Sequence, residues 1–242
     1  MAIPLSSGMS SWNGATISFT KLRLLPMSRI GLLGGTFDPV HFGHLILAET
    51  ARDTLRLDRV YFVPAADPPH KQGRVVARAE DRIAMLKMAI ADNGAFEISL
   101  IDVERKGPDY TADMLAIARK ALLGPGDDLW FLMGLDSVID FPNWHEPERI
   151  RQLARLAAAT RPGFDIDWEP LERALPGISH EVTLLPMPGV DISSNNIRRR
   201  ILHGSSIRYL LPECVRKYIY ERGLYRYPSW NARSAGFAGT RG

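Results

Sequence analysis

Apolar positions along the chain fall into blocks that switch between strand and helix patterns. Ile30-Gly31-Leu32-Leu33 and Val60-Tyr61-Phe62-Val63 are short, nearly continuous apolar runs, the pattern of strands buried on both faces. Phe96-Glu97-Ile98-Ser99-Leu100 alternates with a period of two, and Leu129-Trp130-Phe131-Leu132-Met133 and the stretch from Leu153 to Thr160 read as further strands. Helical patterns lie between them. One runs from Leu45 to Ala51, and another from Glu80 to Ala91 with apolar spacing at Ile83, Leu86, Met88 and Ile90. A third has Thr111 as its N-cap and reaches Leu123, where Gly124-Pro125-Gly126 stops it. Such alternation predicts an α/β fold with a doubly wound parallel sheet, its ligands at the carboxyl ends of the strands. No internal repeat is evident.

Both ends depart from this pattern. Residues 1–28 are rich in Ser and Gly and hold no acidic residue, the first being Asp38. They lack the continuous apolar segment of a secretory signal, while their basic, acid-poor character fits an organellar transit peptide. The simpler reading is a poorly ordered extension, or an upstream start in place of Met27. Residues 227–242 read as a frayed, Gly/Ala/Arg/Ser-rich tail. One catalytic-sized domain, 29–226, is left.

Composition narrows the function classes. A net charge of +3 is too small to argue for nucleic acid but suits anionic small molecules. No apolar run is long enough for a membrane span. The single cysteine, Cys214, excludes an internal disulfide and a cysteine-rich metal site, so a reducing cytoplasmic setting is the default expectation.

The densest chemistry lies at residues 34–44, Gly34-Gly35-Thr36-Phe37-Asp38-Pro39-Val40-His41-Phe42-Gly43-His44. A strand, a glycine turn and a helix start with two histidines make a place for a polyphosphate. Helix-start amides offer unpaired donors, glycines admit a bulky anion, and imidazoles add donors, or positive charge if protonated. The two imidazoles also allow a metal reading, but no obvious third ligand is nearby. Neither a P-loop nor a dinucleotide fingerprint is present. Downstream, Asp191-Ile192-Ser193-Ser194-Asn195-Asn196-Ile197-Arg198-Arg199-Arg200-Ile201 is a capped basic helix, either a solvated face or an RNA-binding patch.

The first of these strings resembles the signature of the nucleotidyltransferase superfamily with the His-x-Gly-His motif, in particular the nicotinate-nucleotide adenylyltransferases. The second resembles that family's Ile-Ser-Ser-Thr-x-Ile-Arg signature, departing from it at Asn195, where the family usually has Thr. The resemblance runs from about Arg29 to Tyr225, closing with Leu211 to Ile219, which is similar to the family's last helix. It implies a Rossmann-like nucleotidyltransferase fold and an enzyme of NAD biosynthesis. In its reaction the 5′-phosphate of nicotinate mononucleotide attacks the α-phosphorus of ATP, giving deamido-NAD and pyrophosphate, with Mg²⁺ carried by ATP.

By the same resemblance His41, His44 and Arg198 are the catalytic candidates. Gly34, Gly35, Thr36, Phe37, Gly134, Asp136 and Ser194 join them in binding ATP. Asp38, the His70 and Lys71 of Pro68-Pro69-His70-Lys71, the Tyr110-Thr111 pair, Trp144 and His145 are implied for the mononucleotide. His145 stands where the family often has another aromatic. Two rival readings stay open. One is a sister enzyme acting on nicotinamide mononucleotide or phosphopantetheine, or transferring cytidylyl groups; the other is a non-catalytic nucleotide-binding module. No protein ligand to the metal, no nucleic acid and no membrane is expected as partner, and a homo-oligomer is left open.

Overall fold

The computed structural model describes residues 27–66, 77–105, 107, 110–160, 163 and 165–226. Expectations for residues 1–26, for His70 and Lys71, and for the tail from 227 onward lie outside the described residues. Strand β1 (Arg29–Gly35) is followed by helix α1 (Phe42–Leu55), β2 (Arg59–Pro64), α2 (Ala79–Ala89) and β3 (Phe96–Ile98). Helices α3 (Ile101–Glu104) and α4 (Thr111–Leu122) lead into β4 (Asp128–Gly134). Next come α5 (Leu135–Asp140), a 3-10 turn at Phe141–Asn143, α6 (Pro147–Leu153) and β5 (Arg155–Thr160). Helices α7 (Trp168–Ala174) and α8 (Ile178–Glu181), strand β6 (Val182–Pro186), α9 (Ser194–Leu202) and α10 (Glu213–Glu221) complete the described chain.

The 6-stranded sheet has the order β3-β2-β1-β4-β5-β6, and every neighbouring pair is parallel. The chain winds outward from β1 to β3, crosses to the other side of β1 with β4, and winds outward again to β6. At that reversal the segments leaving β1 and β4 diverge, and the crevice between their carboxyl ends is where open α/β sheets take ligands. The doubly wound fold expected from the strand pattern is present.

Strand periodicity divides the core into two layers. Leu32 pairs with Phe131, and both join Leu115 of α4 and Ile150 of α6 on one face. Their neighbours Leu33 and Leu132, also paired, join Ala48 of α1, Ile197 of α9 and Ile219 of α10 on the other. Both faces of β1 and β4 are covered, which is why these strands read as continuous apolar runs. No described helix is long and apolar enough to cross a membrane.

Several boundaries differ from the sequence reading. Helix α1 starts at Phe42 rather than Leu45, because the amides of His44 and Leu45 both donate to His41 O. His44 is thereby drawn into the first turn. Thr111 is not the cap of α4: Tyr110 holds the extended cap conformation, and Met114 N–H closes the first turn on Tyr110 O at 3.1 Å. Leu153 ends α6, which Pro147 opens, so β5 begins only at Arg155. Strand β3 stops at Ile98, because at Leu100 the backbone turns into α3 (φ −91°, ψ 9°).

Leu132 is 1% exposed at the centre of the sheet. Leu132→Ala should lower unfolding free energy by about 2–5 kcal/mol, through lost transfer energy and the cavity left behind. Urea denaturation of the variant checks this.

Candidate functional site

The turn between β1 and α1 is built around aromatic rings. His41 is the N-cap of α1 in extended conformation, and its backbone N–H donates to His44 Nδ1 at 3.3 Å. The two imidazoles stack, with centroids 3.8 Å apart and planes inclined by 25°. Phe37 meets His44 edge-on at 5.0 Å. Gly43 makes the stack possible, since a Cβ there would lie 3.0 Å from two atoms of the His41 ring. A Cβ on Gly35 would lie 3.1 Å from the Phe37 ring. That glycine therefore serves ring packing, whereas Gly34 lines the open cleft.

Burial sets the charge of the pair. It lowers the pKa of His41 from 6.5 to about 4. His44 is held well below 6.5, first by burial and then by repulsion from His41. Both shifts favour neutral rings at pH 7. Because Nδ1 of His44 accepts a backbone hydrogen bond, its proton sits on Nε2, leaving a donor at the far side of the ring. His41 Nδ1 is buried and has no hydrogen-bond partner among the described residues.

Above these rings a cavity of about 290 Å³ opens at the switch point. Gly34, His41 and His44 line it from the β1 side, and Gly134, Asp136 and Trp144 from the β4 side. Met187, Val190 and Ile192, on the segment entering α9, line it as well. A Cβ on Gly134 would meet nothing within 4 Å, so that strand end is open to a bound group. Phe131 and Phe141 hold the Trp144 indole edge-on, at 6.1 and 5.5 Å. At the same end Tyr110 and His145, distant in sequence, stack at 3.8 Å. Thr111, partly buried, opens α4 beside Tyr110.

The start of α9 is fastened to the turn between β1 and α1. Ser193 caps α9 by accepting from Asn196 N–H at 3.2 Å. Ser194 Oγ donates to Pro39 O at 2.9 Å, and Arg198 Nη1 donates to Asp38 O at 2.6 Å. Arg198 Nη2 also reaches Asn195 Oδ1, at 3.4 Å. Ser194 and Arg198 thus flank the turn rather than lining the cavity itself.

Two residues expected at substrate lie inside the protein. Phe37 is 2% exposed and supports His44 rather than presenting its ring to a ligand. Asp38 is also 2% exposed, and its Oδ1 accepts from Tyr225 Oη at 2.7 Å and from Ala77 N–H at 3.0 Å. Thr36 offers its carbonyl to Arg82 Nη1 at 2.8 Å. Among the described residues no group of three or more His, Cys, Asp or Glu side chains comes together to hold a metal ion.

The cytidylyltransferase-like family matches residues 32–200. A protein of Thermomicrobium roseum named probable nicotinate-nucleotide adenylyltransferase is 45% identical over 215 residues, covering 87% of this chain and 100% of its own. The chain belongs to the nicotinate-nucleotide adenylyltransferase family. A Desulfitobacterium hafniense relative of the same name is 45% identical, over 83% of this chain and 97% of its own. In fold the chain is similar to the nicotinic acid mononucleotide adenylyltransferase of Plasmodium falciparum complexed with NaAD. That likeness has a TM-score of 0.66 at 19% identity, and covers 82% of this chain and 97% of that one.

Sequence reasoning passed over Arg82 and Tyr225. Arg82, fully buried, donates to the carbonyls of Thr36, Ala65 and Ala77 and so ties the family turn to both flanks of residues 67–76. Its only sequence signal is an arginine beside apolar Ile83 on a helix face otherwise read as core. Tyr225 carries none, sitting beyond the last helix.

His41 gives stability a pH dependence of known sign. The unfolded imidazole takes up its proton near pH 6.5 and the native one only near pH 4. Its contribution is therefore complete above pH 6.5 and is lost as pH falls toward 4, by roughly 3 kcal/mol across that window. His41→Gln should flatten the curve, measured as urea unfolding free energy between pH 7 and pH 4.

Proposed function

We propose that the switch-point cleft is where the chain transfers the adenylyl group of ATP to nicotinate mononucleotide, releasing pyrophosphate and forming deamido-NAD. The observation that carries this reading is the neutral, stacked His41–His44 pair at the mouth of β1, fastened through the Asp38–Pro39 turn to Arg198. In the transfer an oxygen of the mononucleotide 5′-phosphate forms a bond to the α-phosphorus. The bond from that phosphorus to the bridging oxygen breaks, and its electron pair leaves with pyrophosphate. A phosphate nucleophile is already ionised near pH 7, so the chemistry needs no general base. It needs in-line positioning and stabilisation of charge on the oxygens.

His44 Nε2–H is a donor aimed by the backbone bond at Nδ1, and His41, stacked on it, brings a second imidazole to the same place. Negative phosphate beside these rings raises their proton affinity, so positive charge develops there when the triphosphate binds. Arg198 and the amides at the start of α9 grip the β- and γ-phosphates from the other side of the turn. Gly34, Gly35 and Thr36 supply backbone at the phosphates, and Gly134 with Asp136 borders the nucleotide from β4. At the far end Trp144 offers its indole face to the cationic pyridinium. Tyr110, Thr111 and His145 bound that ring, and the α4 amides suit its carboxylate.

Neutral imidazoles and glycine amides are not a hard-cation donor set, and Asp136 is the carboxylate lining the cavity. That fits a Mg²⁺ that would arrive on ATP, with Asp136 the residue placed to help hold it, and the ion would supply neutralisation of charge on the departing pyrophosphate.

The reading is tested by pyrophosphate release from ATP with nicotinate mononucleotide, nicotinamide mononucleotide and phosphopantetheine. Turnover should be fastest with the nicotinate form; equal rates for acid and amide would remove the assignment of the pyridine end. His44→Ala should lower kcat by about a hundredfold or more, the usual loss for one transition-state donor. Normal turnover in a folded His44→Ala protein sinks that role. Trp144→Ala should act differently, raising KM for the mononucleotide about tenfold while leaving KM for ATP near its original value.

A further inference from the structure

Arg198 is the cation that the phosphate reading places on the triphosphate, yet a long side chain at the surface of a helix has many rotamers. Here the side chain is 18% exposed, and its guanidinium is held chiefly by Asp38, with Asn195 Oδ1 at 3.4 Å as a weaker second contact. Nη1 donates to the Asp38 carbonyl at 2.6 Å and lies 3.6 Å from Asp38 Oδ2. The Asp38 carboxylate is in turn held from its other side. Its Oδ1 takes both the Tyr225 hydroxyl at 2.7 Å and the Ala77 amide at 3.0 Å. Two donors on one oxygen fix the carboxylate plane and leave Oδ2 turned toward the guanidinium.

Tyr225 is placed for this by the end of α10. Leu224 N–H closes back on Ile219 O at 3.0 Å, Gly223 adopts φ 61° and Tyr225 itself φ 62°. The chain so reversed drives the phenol into the core layer that holds Phe37, Val40 and Ile197, where it is 4% exposed. A left-handed backbone at a bulky non-glycine residue is strained, and here it accompanies a buried hydroxyl with one well-formed partner. Burial and the neighbouring Asp38 carboxylate push the phenol pKa far above its ordinary value, so the hydroxyl remains a donor at any working pH.

We propose that Tyr225 is a positioning residue for adenylyl transfer, holding Arg198 on the triphosphate through the buried Asp38 carboxylate. Ring packing and hydroxyl function are separable in this arrangement. Tyr225→Phe keeps the ring and its core contacts and removes only the donor to Asp38. The Asp38 carboxylate is then held by the Ala77 amide alone, so the Oδ2 beside the guanidinium loses its fixed position while Nη1 keeps only the Asp38 carbonyl. A group acting on fold alone would lower the melting temperature and leave turnover intact. A group acting through Arg198 alters turnover only while Arg198 is present.

The proposal rests on the phosphate role of Arg198 given above, and a double-mutant cycle separates the two. Steady-state pyrophosphate release with ATP and nicotinate mononucleotide is measured for the parent, Tyr225→Phe, Arg198→Ala and the double variant, with melting temperatures alongside. Tyr225→Phe should lower kcat about tenfold, the scale expected for a misplaced catalytic group, with KM for the mononucleotide unchanged. In the Arg198→Ala background the same substitution should change kcat less than about twofold, because the two residues act as one unit. An impaired Arg198→Ala protein in which Tyr225→Phe still costs its full factor overturns the positioning role and leaves the phosphate role standing. Normal turnover in Tyr225→Phe overturns it equally. Normal turnover in Arg198→Ala removes the phosphate role and the proposal together.

Discussion

A carboxylate with 2% exposure must find donors inside the protein, and satisfying Asp38 dictates where four distant parts of the chain meet. Its Oδ1 calls in Tyr225 from beyond α10 and the Ala77 amide from the start of α2, and its backbone carbonyl takes Arg198 from α9. The next residue, Pro39, receives Ser194. Ser194 and Arg198 share α9, Ala77 precedes α2 and Tyr225 follows α10, and all three helices pack on the same face of the sheet. The turn between β1 and α1 is therefore the point at which that layer is locked to the sheet. Arg82 adds a second buried anchor, with its guanidinium shared among three carbonyls, one of them in the same turn. Polar groups set the register of this layer, and apolar burial supplies the bulk of its adhesion.

That division explains what could be read from the sequence. Parallel strands covered on both faces leave apolar runs, so β1, β2 and β4 were legible residue by residue. Strand β6 was not, because as an edge strand it carries Leu184 at 41% exposure and ends in a proline, breaking both the run and the alternation. The short helices α5 to α8 are held by neighbours rather than by a long amphipathic pattern, and their sequences show little periodicity. The two motifs at residues 34–44 and 191–201 were legible because local chain order creates them: strand end, glycine turn or cap, helix start. Asp38 read as a substrate contact for the same reason, since nothing nearby in sequence reveals that its donors lie at Ala77 and Tyr225. Long-range satisfaction of buried groups is the part of the site that local patterns do not encode.

The pyridine end shows an intermediate case. Tyr110 and His145 were each visible as family positions, but their stacking at 3.8 Å depends on α4 and α6 being packed side by side. Arg149, bridging Asp113 of α4 and Glu146 before α6, fastens the same junction. Exposed ion pairs of this kind contribute little free energy. Their effect here is to orient: they bring two loop segments into one wall, so that a planar ring can be bounded from both sides.

Neutral histidines are the less obvious choice for a triphosphate, and the geometry supplies the reason. A pair of permanently protonated imidazoles stacked at 3.8 Å would repel one another in the unliganded protein, and burial would raise that cost further. Kept neutral, the rings can pack against Phe37 and against each other, which fixes where Nε2–H of His44 points. On the proposed reading a bound phosphate then supplies the charge that makes protonation favourable, where its oxygens need stabilising. Arg198 cannot be switched in this way, since a guanidinium is always charged. Its guanidinium is anchored at 2.6 Å on the Asp38 carbonyl, while the Asp38 carboxylate stands 3.6 Å away and short of a tight bidentate pair. On the proposed reading the two halves of the site meet one electrostatic problem differently: the histidines by staying neutral until a phosphate is beside them, the arginine by keeping its charge on a buried anchor.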